Sequence, residues 1–442
     1  MLRKLGGTST AVKGKPIGKV GFPQPFEIGL EYNPPARGVW NIVHMGMLIP
    51  QSHQIYFCAQ GCLRGVVQTT AEMNAMDRLS WAYLCDEDYA DGSMEQNIID
   101  SMSEVIRLMP EKPPCVLMFL SCMHLFAGVD FDMIIDELSA SFPDIDFVDC
   151  YMTPTMRFSG LAPVPTMCRQ MFRPLKKTEK DKKAVNIIGC NFATDKDSEL
   201  VKIITENGFK LREVMTSETY EEYQKMAQAS VNIAYLPEAV GALEDMKERL
   251  GQTQLYLPVS YNYDEIIGGY EKLCDTLKIK CPDFSDYVKK ADETVKKLKE
   301  KIGDIKIAVD FTATPRPLGL CRFLLKNGLN VTGLYTDNFN GEEKADFDII
   351  CEQYPSFKIY PTEQPSMRFA ASSFDGEKYL AIGQKAAYFC ATDNFVNIVG
   401  TNGLYGFTGI IKLCEMICDA FKNPKDRREV ISYKGLGCES CL

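Results

Sequence analysis

The chain has 442 residues, of which 45% are hydrophobic, 24% charged and 10% aromatic; this describes a globular protein and excludes collagen-like, disordered and low-complexity classes. Lys plus Arg number 49 and Asp plus Glu 59, so the formal charge is −10, which argues against a nucleic-acid binder or a membrane-surface protein. At roughly 150 residues per domain the length predicts about three domains, each long enough to bury its own core.

Arg3 and Lys4 are followed by no apolar segment, so no secretory signal is expected. The longest apolar run near the middle, Val116–Met123, is far short of the roughly 18 residues that a membrane span needs. The expected location is therefore cytoplasmic. In a reducing compartment the 17 cysteines read as small buried hydrophobes, as metal ligands, or as both. Histidine occurs only at 44, 53 and 124, so nothing beyond His124 supplies an imidazole.

Ile55-Tyr-Phe57 runs into Cys58-Ala-Gln-Gly-Cys62, a C-x3-C pair that opens a predicted helix through Val66 and Val67. Thiols near a helix N-terminus have lowered pKa, which favours metal ligation. Asp86-Glu-Asp88 and Asp91 form an acidic cluster, read as a solvated loop. Pro113–Ser121 is a strand bounded by prolines, Cys122–Gly128 the loop after it, and Asp130 the N-cap of a helix through Met133, Ile134 and Leu138. Cys122 thus falls at the carboxyl end of a strand, where open parallel sheets bind ligands. Cys58, Cys62 and Cys122 together offer three thiolates on one domain. Iron–sulfur clusters are usually held by four, which leaves one position for a partner subunit.

Lys176–Lys183 is a charged linker. After it, Val185 begins VNIIGCNFATDKDSELVKIITENGFKLREVMT, and Ile305 begins the similar IKIAVDFTATPRPLGLCRFLLKNGLNVTGLYT. Both read strand, polar turn, helix, Asn-Gly, strand. Gly208 and Gly328 suit a left-handed helix end. Residues 286–306 are a predicted surface helix between the copies. The fold class is therefore α/β, with Rossmann-like domains and mainly parallel sheets, divided at 1–178, 179–303 and 304–442. Cys414 and Cys418 lie four apart on an apolar helix and read as core. Cys438-Glu-Ser-Cys441 closes the chain with a C-x2-C ligand or redox spacing; no second such pair supports a zinc ribbon. No phosphate-loop or dinucleotide motif occurs, so any nucleotide hydrolysis must come from another protein.

Several of these segments, in order, resemble nitrogenase component 1 and its relatives over most of the length. They are SHQIYFCAQGCLRGVV with Cys58, the acidic-to-glycine stretch Asp86–Gly92, FLSCMHLFAGVDFDMI with Cys122, TGLYTDNF, and YGFTGIIKLCEMICDAFKNP. The resemblance implies three Rossmann-like domains, pairing with a homologous subunit as a homo- or heterodimer or tetramer, and an iron–sulfur cluster near the interface. It also implies a separate ATP-hydrolysing iron protein as electron donor. Cys58 and Cys122 stand at the places of cluster cysteines. The family's first cluster cysteine is missing: the chain has none before 58, and Arg37 lies near the expected place, so Cys62 is the substitute. The family's catalytic cofactor needs a cysteine near Tyr235 and a histidine in the third domain. Neither is present, so no iron–molybdenum cofactor and no dinitrogen reduction are expected. Cys190, nearby in sequence, is assigned to a different turn. The implied function is a nitrogenase-like reductase subunit with a [4Fe–4S] or related cluster on Cys58, Cys62 and Cys122, with Cys438 and Cys441 as further candidate ligands and His124 as a hydrogen-bond donor beside them. The substrate is unspecified. Two alternatives stay open: a scaffold for metallocluster assembly, and a small-molecule or metallophore binding protein without a cluster.

Overall fold

A computed structural model describes residues 13–36, 38–90, 92–156, 159–160, 162–372 and 377–432. The chain forms two compact units. One comprises Trp40–Ala193 and Ile204–Pro258; the other comprises the described residues before Trp40, Thr194–Ile203 and residues 259–432. A short strand of the second unit, β1 (Lys15–Pro16), comes first in the chain.

The unit beginning at Trp40 holds two four-stranded parallel sheets. The first contains β2 (His53–Cys58), β3 (Leu79–Tyr83), β4 (Cys115–Ser121) and β5 (Asp146–Met152) in the order β3-β2-β4-β5. Every residue of β2 and β4 is buried, which explains their nearly continuous apolar sequences: a central parallel strand is covered on both faces. Side chains alternate between two cores, as a period of two requires. Tyr56, Leu117 and Phe119 face one, with the Tyr56 and Phe119 rings stacked at 4.3 Å. Ile55, Phe57, Val116, Met118 and Leu120 face the other. Leu63 and Val66 of α1 (Gln60–Glu72) pack on the first face. The second face is covered by Ile98, Met102 and Ile106 of α2 (Met94–Leu108), whose spacing of four places them on one stripe.

Cys122–Gly128, expected as a loop, instead forms a short helix, α3 (Cys122–Ala127). The Ser121 backbone N–H donates to His124 Nδ1, and Gly128 closes the helix at φ +73°. Six residues are too few to show helical periodicity, so these caps define it. The acidic segment is likewise a short helix, Asp86–Ala90. Asp130 caps α4 (Phe131–Ser141) by accepting from Met133 N–H at 3.0 Å, as its sequence position predicts.

The second sheet contains β6 (Asp181–Ile187), β7 (Lys210–Arg212), β8 (Ala229–Ala234) and β9 (Thr253–Tyr256), ordered β7-β6-β8-β9 and all parallel. Helix α5 (Glu199–Glu206) lies between β6 and β7 in the chain and is followed by Gly208 at φ +74°.

In the other unit, α6 (Tyr263–Leu277) and α7 (Ser285–Ile302) precede β10 (Lys306–Asp310). The expected surface helix is α7, which buries only Ala291, Val295, Leu298 and Ile302. Then follow α8 (Pro317–Lys326), β11 (Val331–Tyr335), α9 (Lys344–Gln353), β12 (Lys358–Tyr360), β13 (Tyr379–Ile382), α10 (Gln384–Phe389), β14 (Phe395–Val396) and α11 (Gly406–Lys422). The sheet order is β1-β12-β11-β10-β13-β14, parallel except for the β1 edge. Gly328 lies beyond α8 at φ +73°, matching Gly208 in the first copy of the repeat. Cys414 is buried and Cys418 half-buried on α11, as core positions.

Candidate metal centre

Both four-stranded sheets run second, first, third, fourth by order of appearance. The larger sheet runs third, second, first, fourth, fifth, after its β1 edge. Each order reverses once, and the crevice at the carboxyl ends of the two strands flanking the reversal is where such sheets take ligands. In the first sheet those strands are β2 and β4. Phe57 pairs with Leu120, so Cys58 ends β2 opposite Ser121, and Cys122 follows immediately. Two cysteines remote in sequence are thus neighbours at the switch point.

Cys58 is fully buried at the end of its strand, Cys122 is half-buried, and Cys62 is exposed in the first turn of α1. The expectation of a lowered Cys58 pKa fails. Burial pushes the thiol up to about 12, with the nearby Cys62 adding to the effect. Cys58 lies on the strand rather than on the helix terminus, and desolvation disfavours its thiolate. Metal ligation there must displace a proton.

Among the described residues no group of three or more His, Cys, Asp or Glu side chains could hold a metal ion. The three cysteines therefore do not make a closed mononuclear site. Thiolates of a multi-iron cluster bind different iron atoms and stand farther apart, and usually number four. A buried and a half-buried thiol at one switch point fit part of such a ligand set. The chain's other thiol pair, Cys438 and Cys441, lies outside the described residues.

His124 is completely buried. Because Ser121 N–H donates to Nδ1 at 3.1 Å, the neutral ring carries its proton on Nε2, and burial lowers its pKa. Nε2 is buried with no hydrogen-bond partner among the described residues. His124 caps α3 and offers a donor beside Cys122. Met123 and Phe126 on α3 and Met133 on α4 are exposed.

The other two switch points also carry titratable side chains, of which Asp310 and Lys385 are absent from the sequence-based expectations. In the second sheet, Cys190 follows β6 and Tyr235 follows β8; Cys190 Sγ donates to the Ile188 carbonyl at 3.8 Å, and burial pushes its thiol well up. Cys190 lies in the turn after β6 and Tyr235 in the turn after β8, so the two stand in different turns. In the larger sheet, Asp310 ends β10 and accepts hydrogen bonds from Ala386 N–H and Thr312 N–H. Lys385 is buried beside it, 5.0 Å from the Phe311 ring centroid. Burial raises the Asp310 pKa and lowers that of Lys385. The strand-glycine-helix junction Leu380-Ala-Ile-Gly383-Gln-Lys385 was the available signal.

The family model for Nitrogenase component 1 type Oxidoreductase matches residues 43–422. The fold is similar to that of a structure described as Nitrogenase Cp1 at pH 6.5, with TM-score 0.67 and 14% identity over 90% of this chain and 95% of that one. A second, Nitrogenase Cp1 at pH 5, gives TM-score 0.58 and 12% identity over 92% and 94%. No curated protein matches the sequence. The chain belongs to the nitrogenase component 1 type oxidoreductase family. Proteins of this family hold iron–sulfur-type clusters, form oligomers and work with an iron protein.

Proposed function

We propose that this chain is a nitrogenase-like reductase subunit that accepts electrons from a separate ATP-hydrolysing iron protein and passes them to a substrate other than dinitrogen. The supporting observation is the placement of Cys58 and Cys122 at the carboxyl ends of adjacent strands, at the switch point of the first sheet. Cys58, Cys62 and Cys122 hold a [4Fe–4S] or related cluster, and a homologous subunit completes the ligand set. Bound there, the cluster supplies one-electron storage. The chain's own residues set its surroundings. Burial around Cys58 excludes water, and His124 Nε2–H is a donor available to sulfur, two levers on potential. The exposed Met123, Phe126 and Met133 suit coverage by the second subunit. No iron–molybdenum cofactor is part of this reading, because no histidine follows His124.

The test is iron retention in Cys58→Ser and Cys122→Ser after purification without oxygen, with ATP-dependent reduction of the parent protein by the iron protein. Loss of iron in either variant and reduction only with ATP are expected. Full iron retention in either variant would sink the site. Equal reduction rates with and without ATP would remove the electron route.

A further inference from the structure

The unit built on the six-stranded sheet contains a cavity of about 470 Å³, enough for a small organic molecule. Its walls come from α8, from the turn entering α6, from Asp292 on α7 and from Asp346 on α9. Gly319 stands inside α8, where glycine is normally unfavourable. A Cβ there would come within 3.2 Å of an Asp346 carboxylate oxygen and within 3.6 Å of the Tyr261 ring. The missing side chain keeps this wall open.

Arg316 forms part of the same wall, with its side chain only 8% exposed. Nη1 donates to Glu265 and Nη2 to Asp346, each at 2.8 Å, while Nε is buried without a partner. That guanidinium is committed to the two carboxylates and holds the wall in place.

Charge around the cavity is divided by element. Arg322 and Lys326 lie one turn apart on α8. Arg322 is held by Asp346 at 2.9 Å, and exposed Lys326 makes no side-chain hydrogen bond or ion pair among the described residues. Asp264, in the first turn of α6, and Asp292 supply exposed carboxylates from the other helices. The ring of Phe323 lies 6.2 Å from that of Tyr261 and 6.3 Å from that of Tyr263. The cavity therefore combines cations from α8 and its N-cap, acids from α6, α7 and α9, and an aromatic wall.

We propose that this cavity binds a small zwitterion on a flat apolar frame. Its carboxylate meets Arg322 and Lys326, its ammonium meets Asp264 and Asp292, and its frame lies against the rings. A ligand with a single charge leaves one of the two charged groups unmatched. The inference is independent of iron binding.

Isothermal titration calorimetry on the full chain tests it, with L-phenylalanine as probe. Phenethylamine and 3-phenylpropanoate each lack one of its charges. L-phenylalanine should bind, with each single-charge analogue weaker by about tenfold. Lys326→Gln should weaken L-phenylalanine and 3-phenylpropanoate while sparing phenethylamine, and Asp264→Asn should do the reverse. Both positions are exposed, so the fold tolerates the changes. No heat with L-phenylalanine, equal affinity for the acid and the zwitterion, or affinities unmoved by both substitutions would overturn the proposal.

Discussion

Cys58 ends β2 and Cys122 opens α3 directly after β4, and only the pairing of those two strands brings them together. Replacing Cys58 with Ser removes a buried sulfur and should cost roughly 1–3 kcal/mol in denaturant unfolding, whereas half-buried Cys122 should cost less. Both variants should lose iron, so stability and metal content separate a ligand from a core residue. His53 gives a pH signature. It is buried against Ser80 Oγ at 2.8 Å, and burial lowers its pKa from 6.5 to about 4. Between those values the unfolded chain binds more protons than the folded one, so stability falls as pH drops from about 6.5 to about 4. His53→Gln should remove this part of the pH dependence of the urea midpoint; an unchanged profile would contradict the assignment. The cysteines were legible because their types and spacing are local. The raised pKa of Cys58 was not, because it depends on what packs around the strand end.

Strands and long helices were legible wherever burial writes a continuous pattern, as in Val116–Leu120 and the α7 stripe of Ala291, Val295, Leu298 and Ile302. Helix α3 was not, because its identity depends on the His124 cap and the left-handed Gly128. The burial of Lys385 near Asp310 also escaped, because it brings the helix after β13 to the end of β10. Gly383 is the element-scale test. At φ +105°, with the Asp310 carboxylate where a Cβ would go, it lets β13 turn into α10. Gly383→Ala should cost roughly 3 kcal/mol or more in unfolding free energy. A change of less than about 0.5 kcal/mol would show that the junction relaxes freely. Removing the residues after Lys434 tests the C-terminal thiols: lost iron would make Cys438 or Cys441 a ligand, and unchanged iron would make both dispensable.

At the scale of the molecule, three sheets with one reversal each place a crevice at each set of strand ends, and the family match extends over residues 43–422. No described helix is long and apolar enough to cross a membrane. The central claim is that this chain contributes part of a cluster's ligand set and a second subunit the rest. Iron and acid-labile sulfide per chain, measured on protein purified strictly without oxygen, test it most directly. The account predicts about two irons and about two sulfides per chain, one four-iron cluster shared by two subunits. Well-folded protein, made alongside cluster-assembly machinery and containing no iron, would contradict it.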